Sequence, residues 1–319
     1  MSGSKASQKR NGSSLPIRIV STRCESPLSW PGSSNSAAPD DKAMRHFQRF
    51  VHRGVNFRIC STHPQVIRGE IRRQRITLET YIHRQPDFAT TLEPLDLLPE
   101  APEVARRLQA ASAATGVGPM AAVAGTMAQL AVKAAGAAGA GEAIVENGGD
   151  IFLISPEVVT VALYAGNNPL SGKLAFRVTP EQMPLAICSS SSLMGHSLSF
   201  GDCDLATVVA PDAALADAAA TLACNLVNSA DDIPRVLERI TVLSGISGVL
   251  IIKADNVGMV GDLPELIRHS DPNFPGKITA DARSGGLPSN HVFVTGGDGS
   301  FLSVTEKAGP WKQEKTPLQ

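Results

Sequence analysis

Apolar positions recur from Phe47 to Ile59 among polar ones, and the stretch reads as a strand. From His63 to Arg84 the period becomes helical. Ile67, Ile71, Leu78 and Ile82 share one face, with Arg68, Arg72, Arg73 and Arg75 largely on others. Those arginines read as a solvated face, with a phosphate clamp as the functional alternative. Pro102 opens a short helix through Ala114. Gly116, Gly118 and Pro119 then lead into an alanine-rich helix that ends near Gly136 or Gly139. Pro119 suits a first helical position, where its missing N–H costs nothing.

Short apolar runs follow at Ala143–Glu146, Ile151–Ile154, Val158–Ala165, Lys173–Val178, Leu185–Ser189 and Leu205–Ala210. Their short connections predict antiparallel neighbours rather than crossover units. Asp212 caps a helix reaching about Val227, and a second helix spans Ile233–Ile240. Val249–Lys253 and Val257–Val260 form a hairpin, followed by a short helix over Leu263–His269. Residues 1–45 lack periodicity and read as a disordered extension. Residues 270–319, rich in charge, Gly, Pro and Ser, read as a peripheral or disordered tail. The folded domain is expected over 46–269, as an α+β fold of mostly antiparallel sheet covered by helices.

Composition narrows the function. A net charge of -1 gives no electrostatic case for nucleic acid or an anionic membrane surface, and 4% aromatics leaves no base-stacking platform. Five cysteines without a CxxC pair indicate neither a disulfide framework nor a zinc knuckle. No signal peptide or membrane span is visible, so the expectation is a cytoplasmic protein in a reducing compartment.

Four segments carry candidate chemistry. Asn147-Gly148-Gly149-Asp150 is a turn between apolar runs. Its glycines can take positive φ and present N–H groups, while Asp150 can orient them or bond a ligand. Asp217 and Thr221 stand four apart on the second alanine-rich helix and place a carboxylate and a hydroxyl, both hard oxygen ligands, on one face. A buried Asp–Thr hydrogen bond is the structural alternative. Between these segments, Ser189 to Ser192 and Gly195, His196 and Ser197 gather directly after a strand. His196 could act as a base or hold phosphate, and Ser190, Ser191 and Ser197 could bond phosphate oxygens. Gly116 and Gly118 could leave room for an anion at the helix start beside Pro119 and Met120. No GxSxG elbow is present, which weakens a hydrolase reading.

In order and spacing, Gly116–Gly125, Glu146–Ile151, Gly195–Gly201 and Ala214–Asn225 resemble the ApbE-like superfamily, and a shorter ApbE-related family most of all. The resemblance covers roughly Phe47 to Val260. It implies a T-fold-related architecture, with FAD or a related nucleotide and Mg2+ as cofactors. By resemblance, Asp217 and Thr221 match magnesium ligands, and the Gly118–Ala121 backbone matches a carbonyl donor to that metal. Asn147 to Asp150 matches a flavin-site turn, and His196 matches a histidine of a His-x-x-Asp-Pro stretch. Here that stretch reads His196-Ser197-Leu198-Ser199-Phe200, without the Asp-Pro pair. A lysine of the first glycine segment has no counterpart among Ala121 to Ala124. The transferases' amino-terminal half and export signal are absent as well.

The resemblance implies binding of a flavin or nucleotide-like small molecule with Mg2+, accessory to anaerobic sulfur assimilation and homocysteine formation. The alternatives are FAD:protein FMN transfer onto a Thr or Ser of a partner protein, and a non-catalytic ligand-sensing or scaffold subunit. The same reading expects no nucleic acid or membrane partner and allows a homodimer. Cys188 and Cys203, which flank the serine–histidine cluster, read as buried structural thiols or as sulfur carriers.

Overall fold

The computed structural model describes residues 18–21, 45–192 and 200–270. The strands are β1 (Arg18–Ser21), β2 (Gln48–His52), β3 (Val55–Ser61), β4 (Ala143–Asn147), β5 (Asp150–Ile154), β6 (Val159–Ala162), β7 (Leu174–Val178), β8 (Leu185–Ser190), β9 (Leu205–Ala210), β10 (Gly248–Lys253), β11 (Asn256–Gly261) and β12 (Glu265–Arg268). The helices are α1 (Pro64–Arg84), α2 (Glu103–Thr115), α3 (Val123–Ala137), α4 (Ala213–Leu226) and α5 (Ile233–Thr241). Nine strands form one sheet in the order β1-β11-β10-β9-β8-β5-β4-β3-β2, and β12-β7-β6 form a second. Every pairing is antiparallel, as the short connections predict.

The large sheet is covered on both faces. One face meets the helices, with Phe57, Val145, Phe152, Ala186 and Val208 packed among Ile67, Leu108, Met127 and the alanines of α4. The other meets the small sheet, with Leu153, Ile187, Leu250 and Ile252 packed against Val161, Leu174 and Phe176. Alternation at period two sends successive side chains of each central strand into opposite cores. In α4, Ala213, Ala214, Ala216, Ala218, Ala219, Ala220 and Ala223 are all buried. Small side chains on every face let α2, α3, β8 and β9 approach this helix closely, which is why so alanine-rich a segment sits at the centre of the fold.

Three expectations need correction. The strand expected over Phe47–Ile59 is two strands, turned at Arg53-Gly54, where φ is +51° and +79°. An arginine in the left-handed region is uncommon, so Arg53 gives no turn signal and the stretch reads as one strand. The helix expected at Leu263–His269 is strand β12, whose Leu266 and Ile267 pair with Phe176 and Ala175. A segment this short cannot offset helix nucleation, whereas the β7 edge offers ready backbone partners. Pro119 opens a 3₁₀ turn, Pro119–Ala122, before α3 begins at Val123. Within the amino-terminal segment, β1 adds to the sheet edge, with Arg18 opposite Met259 and Ser21 opposite Asn256. Among the described residues, no helix is long and apolar enough to cross a membrane.

Candidate functional site

Register places the site at one end of the large sheet. Asn147 opposes Asp150 across a two-residue turn, Gly148-Gly149, with φ of +67° and +108°. Two consecutive positive φ angles give the tight primed turn that glycine supplies without steric cost. The turn delivers Asn147 and Asp150 to the helix-facing side of the sheet, and both are buried. Asn147 Nδ2 donates to the Ala124 carbonyl at 3.2 Å and ties the end of β4 to the start of α3.

Asp217 meets the same point from α4. Its Oδ2 accepts the Gly125 N–H at 2.9 Å, and the Ala124 N–H bonds the same carboxylate. These orphan amides at the start of α3 are satisfied by a side chain from another helix. A Cβ on Gly125 would lie 2.5 Å from the Ala213 carbonyl oxygen and 3.0 Å from Asp217 Cβ, so glycine alone permits this approach. Thr221, one turn along α4, is buried with Asp217.

Both carboxylates have raised proton affinity. Burial pushes Asp150 well above the usual carboxylate range, and the charge of Asp217 adds to the rise. Bonds from the Cys188 thiol and the Ser189 N–H, the latter at 3.2 Å, oppose it. Burial likewise pushes Asp217 up to about 7, against the pull of the Gly125 and Ala124 amides. Among the described residues neither carboxylate has an ion-pair partner. Two buried acids this close cannot both stay ionised without a countercharge. Shared burial therefore favours a protonated pair unless a countercharge is supplied.

The other predicted residues divide into two groups. Gly116 is the left-handed cap that ends α2, with φ of +82°. Gly118 corrects an expectation: a Cβ there would run into the Thr91 carbonyl and the Leu92 backbone, so its space is filled by chain and not left for a ligand. Pro119 is buried and Met120 packs on the helix-side core. Ser189 Oγ bonds Thr207 Oγ1 at 2.9 Å, while Ser192 Oγ accepts the Cys203 N–H at 2.9 Å and lies 3.3 Å from Cys224 Sγ. Ser190 and Ser191 sit at the end of β8 and just beyond it, next in sequence to Ser189. Gly195, His196 and Ser197 lie outside the described residues.

Two members of the site were not legible as such. The Cys188 thiol lies beside Asp150 and donates to the Ala213 carbonyl at 3.7 Å, and burial holds it well above its ordinary range. Only the β5–β8 register, with Ile151 opposite Ile187, brings the two together. Gly125 stood in a segment singled out for other glycines. Among the described residues, no group of three or more His, Cys, Asp or Glu side chains is arranged to hold a metal. A cation here would therefore depend on two carboxylates, a hydroxyl and backbone or ligand oxygens.

The matching family model, described as AbpE bacteria, spans residues 52–241 and so contains this whole site. A UPF0280 protein of Methanospirillum hungatei is 44% identical over 198 residues, covering 62% of this chain and 79% of the relative. A UPF0280 protein of Methanocella arvoryzae is 43% identical over 228 residues, covering 69% of this chain and 93% of the relative. Among solved structures, the flavin transferase ApbE from Vibrio cholerae matches 71% of this chain and 97% of its own, at 13% identity and a TM-score of 0.44. A family model over more than half of the sequence and relatives at this identity agree, and the chain belongs to the AbpE bacteria family, together with the UPF0280 proteins.

Proposed function

We propose that the protein binds a flavin or nucleotide-like ligand together with Mg2+ where the Gly148-Gly149 turn, Asp150 and the Asp217–Thr221 face of α4 converge. The observation that carries this reading is the buried pair Asp150 and Asp217, each raised in proton affinity, with no ion-pair partner among the described residues. A hard divalent cation supplies the missing countercharge, and the donor set fits one: two carboxylates and the Thr221 hydroxyl are oxygen ligands. When bound, the cation would neutralise ligand phosphate charge as well as the acid pair. The chain's own residues do the positioning. Gly125 and Ala124 fix one carboxylate, Ser189 and Cys188 fix the other, and Asn147 holds the turn against α3.

The reading stops at ligand binding because the Asp-Pro pair and the lysine that accompany flavin transfer are absent from this sequence. The context suggested by the resemblance, an accessory role in sulfur assimilation, adds no demand on these residues. Cys188 and Cys203 are buried thiols held protonated, which suits structural positions rather than sulfur carriage. The test is calorimetry of FAD or FMN binding with and without Mg2+, on the native protein and on Asp217→Asn. Saturable binding that needs Mg2+ and Asp217 supports the proposal. Binding indifferent to both would sink it.

A further inference from the structure

Of the arginines of α1, Arg72 and Arg73 are exposed as a solvated face expects, whereas Arg68 and Arg75 are half-buried. The Arg68 and Arg72 guanidinium carbons lie 5.8 and 5.2 Å from the centroid of the Phe50 ring. His52 stacks on the same ring at 6.1 Å with an interplanar angle of 7°. Arg68 Nη2 is anchored by Gln48 Oε1 at 2.6 Å. Arg53, in the β2–β3 turn, pairs with Glu79, which also lies 3.8 Å from Arg75. Glu79 thus serves Arg53 and Arg75, while Arg68 and Arg72 are laid against the Phe50 ring. Arg73, by contrast, points elsewhere on α1 and is matched by Glu70.

A buried donor, Arg68 Nε, and a buried ring nitrogen, His52 Nε2, which becomes a donor when the imidazole is protonated, lack a partner among the described residues. Burial and the nearby charges of Arg53, Arg75 and Arg72 lower the proton affinity of His52. Its surroundings are therefore electropositive. Buried N–H donors beside excess positive charge call for an acceptor-rich anion. A tetrahedral oxyanion offers several acceptors to guanidiniums that arrive from one helix, and its charge offsets their mutual repulsion.

Register locates the cluster relative to the candidate site. Phe50 opposes Phe57, and Phe57 opposes Asn147. The Arg53-Gly54 and Gly148-Gly149 turns therefore lie at the same end of the sheet, with Phe50 and Asn147 two strand spacings, roughly 10 Å, apart.

We propose that Arg68, Arg72 and His52 form an oxyanion site that takes the phosphate or diphosphate group of a small molecule. Gln48 positions Arg68, and Phe50 provides the ring on which the cations are laid out. The site stands on its own residues and does not depend on a cation at Asp150 and Asp217.

The experiment is a titration of the full chain with inorganic diphosphate, without divalent cation, at about 0.15 M salt so that diffuse surface attraction is screened. Heat and the NMR signal of His52 are followed together. Saturable binding is expected, with the His52 titration midpoint moving upward as the anion arrives. Arg72 is exposed, so Arg72→Gln should fold normally and weaken binding. Arg68→Gln with Arg72→Gln should weaken it by about tenfold or more. Asp217→Asn should change it less than about twofold, since that residue belongs to the other site. No saturable binding, an unmoved His52 signal, or unchanged affinity in the double variant overturns the proposal. So does loss of binding in Asp217→Asn alone, which would put the anion at the acid pair. The His52 signal of the native protein decides the matter even if the double variant fails to fold. Failure here leaves the Mg2+ test of the acid pair untouched.

Discussion

Asp217 and Gly125 join α4 to the start of α3 through one bond: Asp217 Oδ2 accepts the Gly125 N–H at 2.9 Å. The bond exists because position 125 has no side chain. A Cβ would meet the Ala213 carbonyl oxygen at 2.5 Å and Asp217 Cβ at 3.0 Å. The carboxylate central to the proposed function is thus held by a packing contact between two helices of small residues.

Gly125→Ala should therefore do two things. Forcing α3 and α4 apart should cost about 1–3 kcal/mol of unfolding free energy, the usual range for overpacking. It should also move Asp217 and weaken any Mg2+ binding. Gly118→Ala meets the Thr91 backbone instead and should lower stability while leaving affinity for Mg2+ intact in the folded fraction. Denaturant melts combined with calorimetry on both variants separate the two effects. Equal loss of Mg2+ affinity in both would show that position 125 has no special link to the site.

Stability without a divalent cation should fall as pH rises. Asp217 is raised from an ordinary carboxylate value to about 7 in the folded protein, and Asp150 is raised in the same sense. A group with a raised folded pKa gives its full contribution below the unfolded value, near 4, and loses it as pH climbs through the folded value. Through Asp217 the loss should run from about pH 4 to pH 7 and amount to a few kcal/mol, and Asp150 adds to it in the same direction. Urea melts across that range would show it. Asp217→Asn should flatten the profile, and Mg2+ should restore stability at the alkaline end. A profile that rises from pH 4 to pH 7 in the same melts, and stays unchanged in Asp217→Asn, would count against the pair.

Mg2+ affinity should rank the donors. Asp217→Asn and Asp150→Asn each remove a charged ligand and should weaken binding by tenfold or more, roughly 1.4 kcal/mol. Thr221→Val removes a neutral hydroxyl of similar shape and should cost less. Isothermal titration with MgCl2 gives the order directly. A larger effect of Thr221→Val than of either asparagine variant would rule out the carboxylates as principal ligands.

Much of this arrangement was legible in the sequence, and the exceptions share a cause. The Asn147–Asp150 turn and the Asp217–Thr221 face could be read because turn chemistry and helical spacing are local. The Asp212 cap is local too, and Leu215 N–H does bond its carboxylate at 3.0 Å. The link from Cys188 to Asp150 depends on β5–β8 register, and the need for glycine at 125 depends on the approach of α4. Neither leaves a local mark. Gly118 misled because a glycine that admits the Thr91 backbone looks, in sequence, like one that admits a ligand.

The cysteines give the last prediction, because it separates structural thiols from sulfur carriers. Cys60, Cys188, Cys203 and Cys224 are all free and buried. Burial raises Cys60 to about 11 and holds Cys188 well above its ordinary range; Cys203 is raised by its bond to Cys224 as well as by burial. Thiolate, the reactive form, is therefore scarce, and access is closed besides. Alkylation of the native protein, read by peptide mass spectrometry, should leave these four unmodified until denaturant unfolds the chain. Cys188→Ser keeps a donor beside Asp150 and the Ala213 carbonyl, whereas Cys188→Ala removes it and should push the acid pair's titration further upward. Rapid native labelling at Cys188 or Cys203 would return sulfur carriage to consideration and argue that the β8–β9 region opens to solvent.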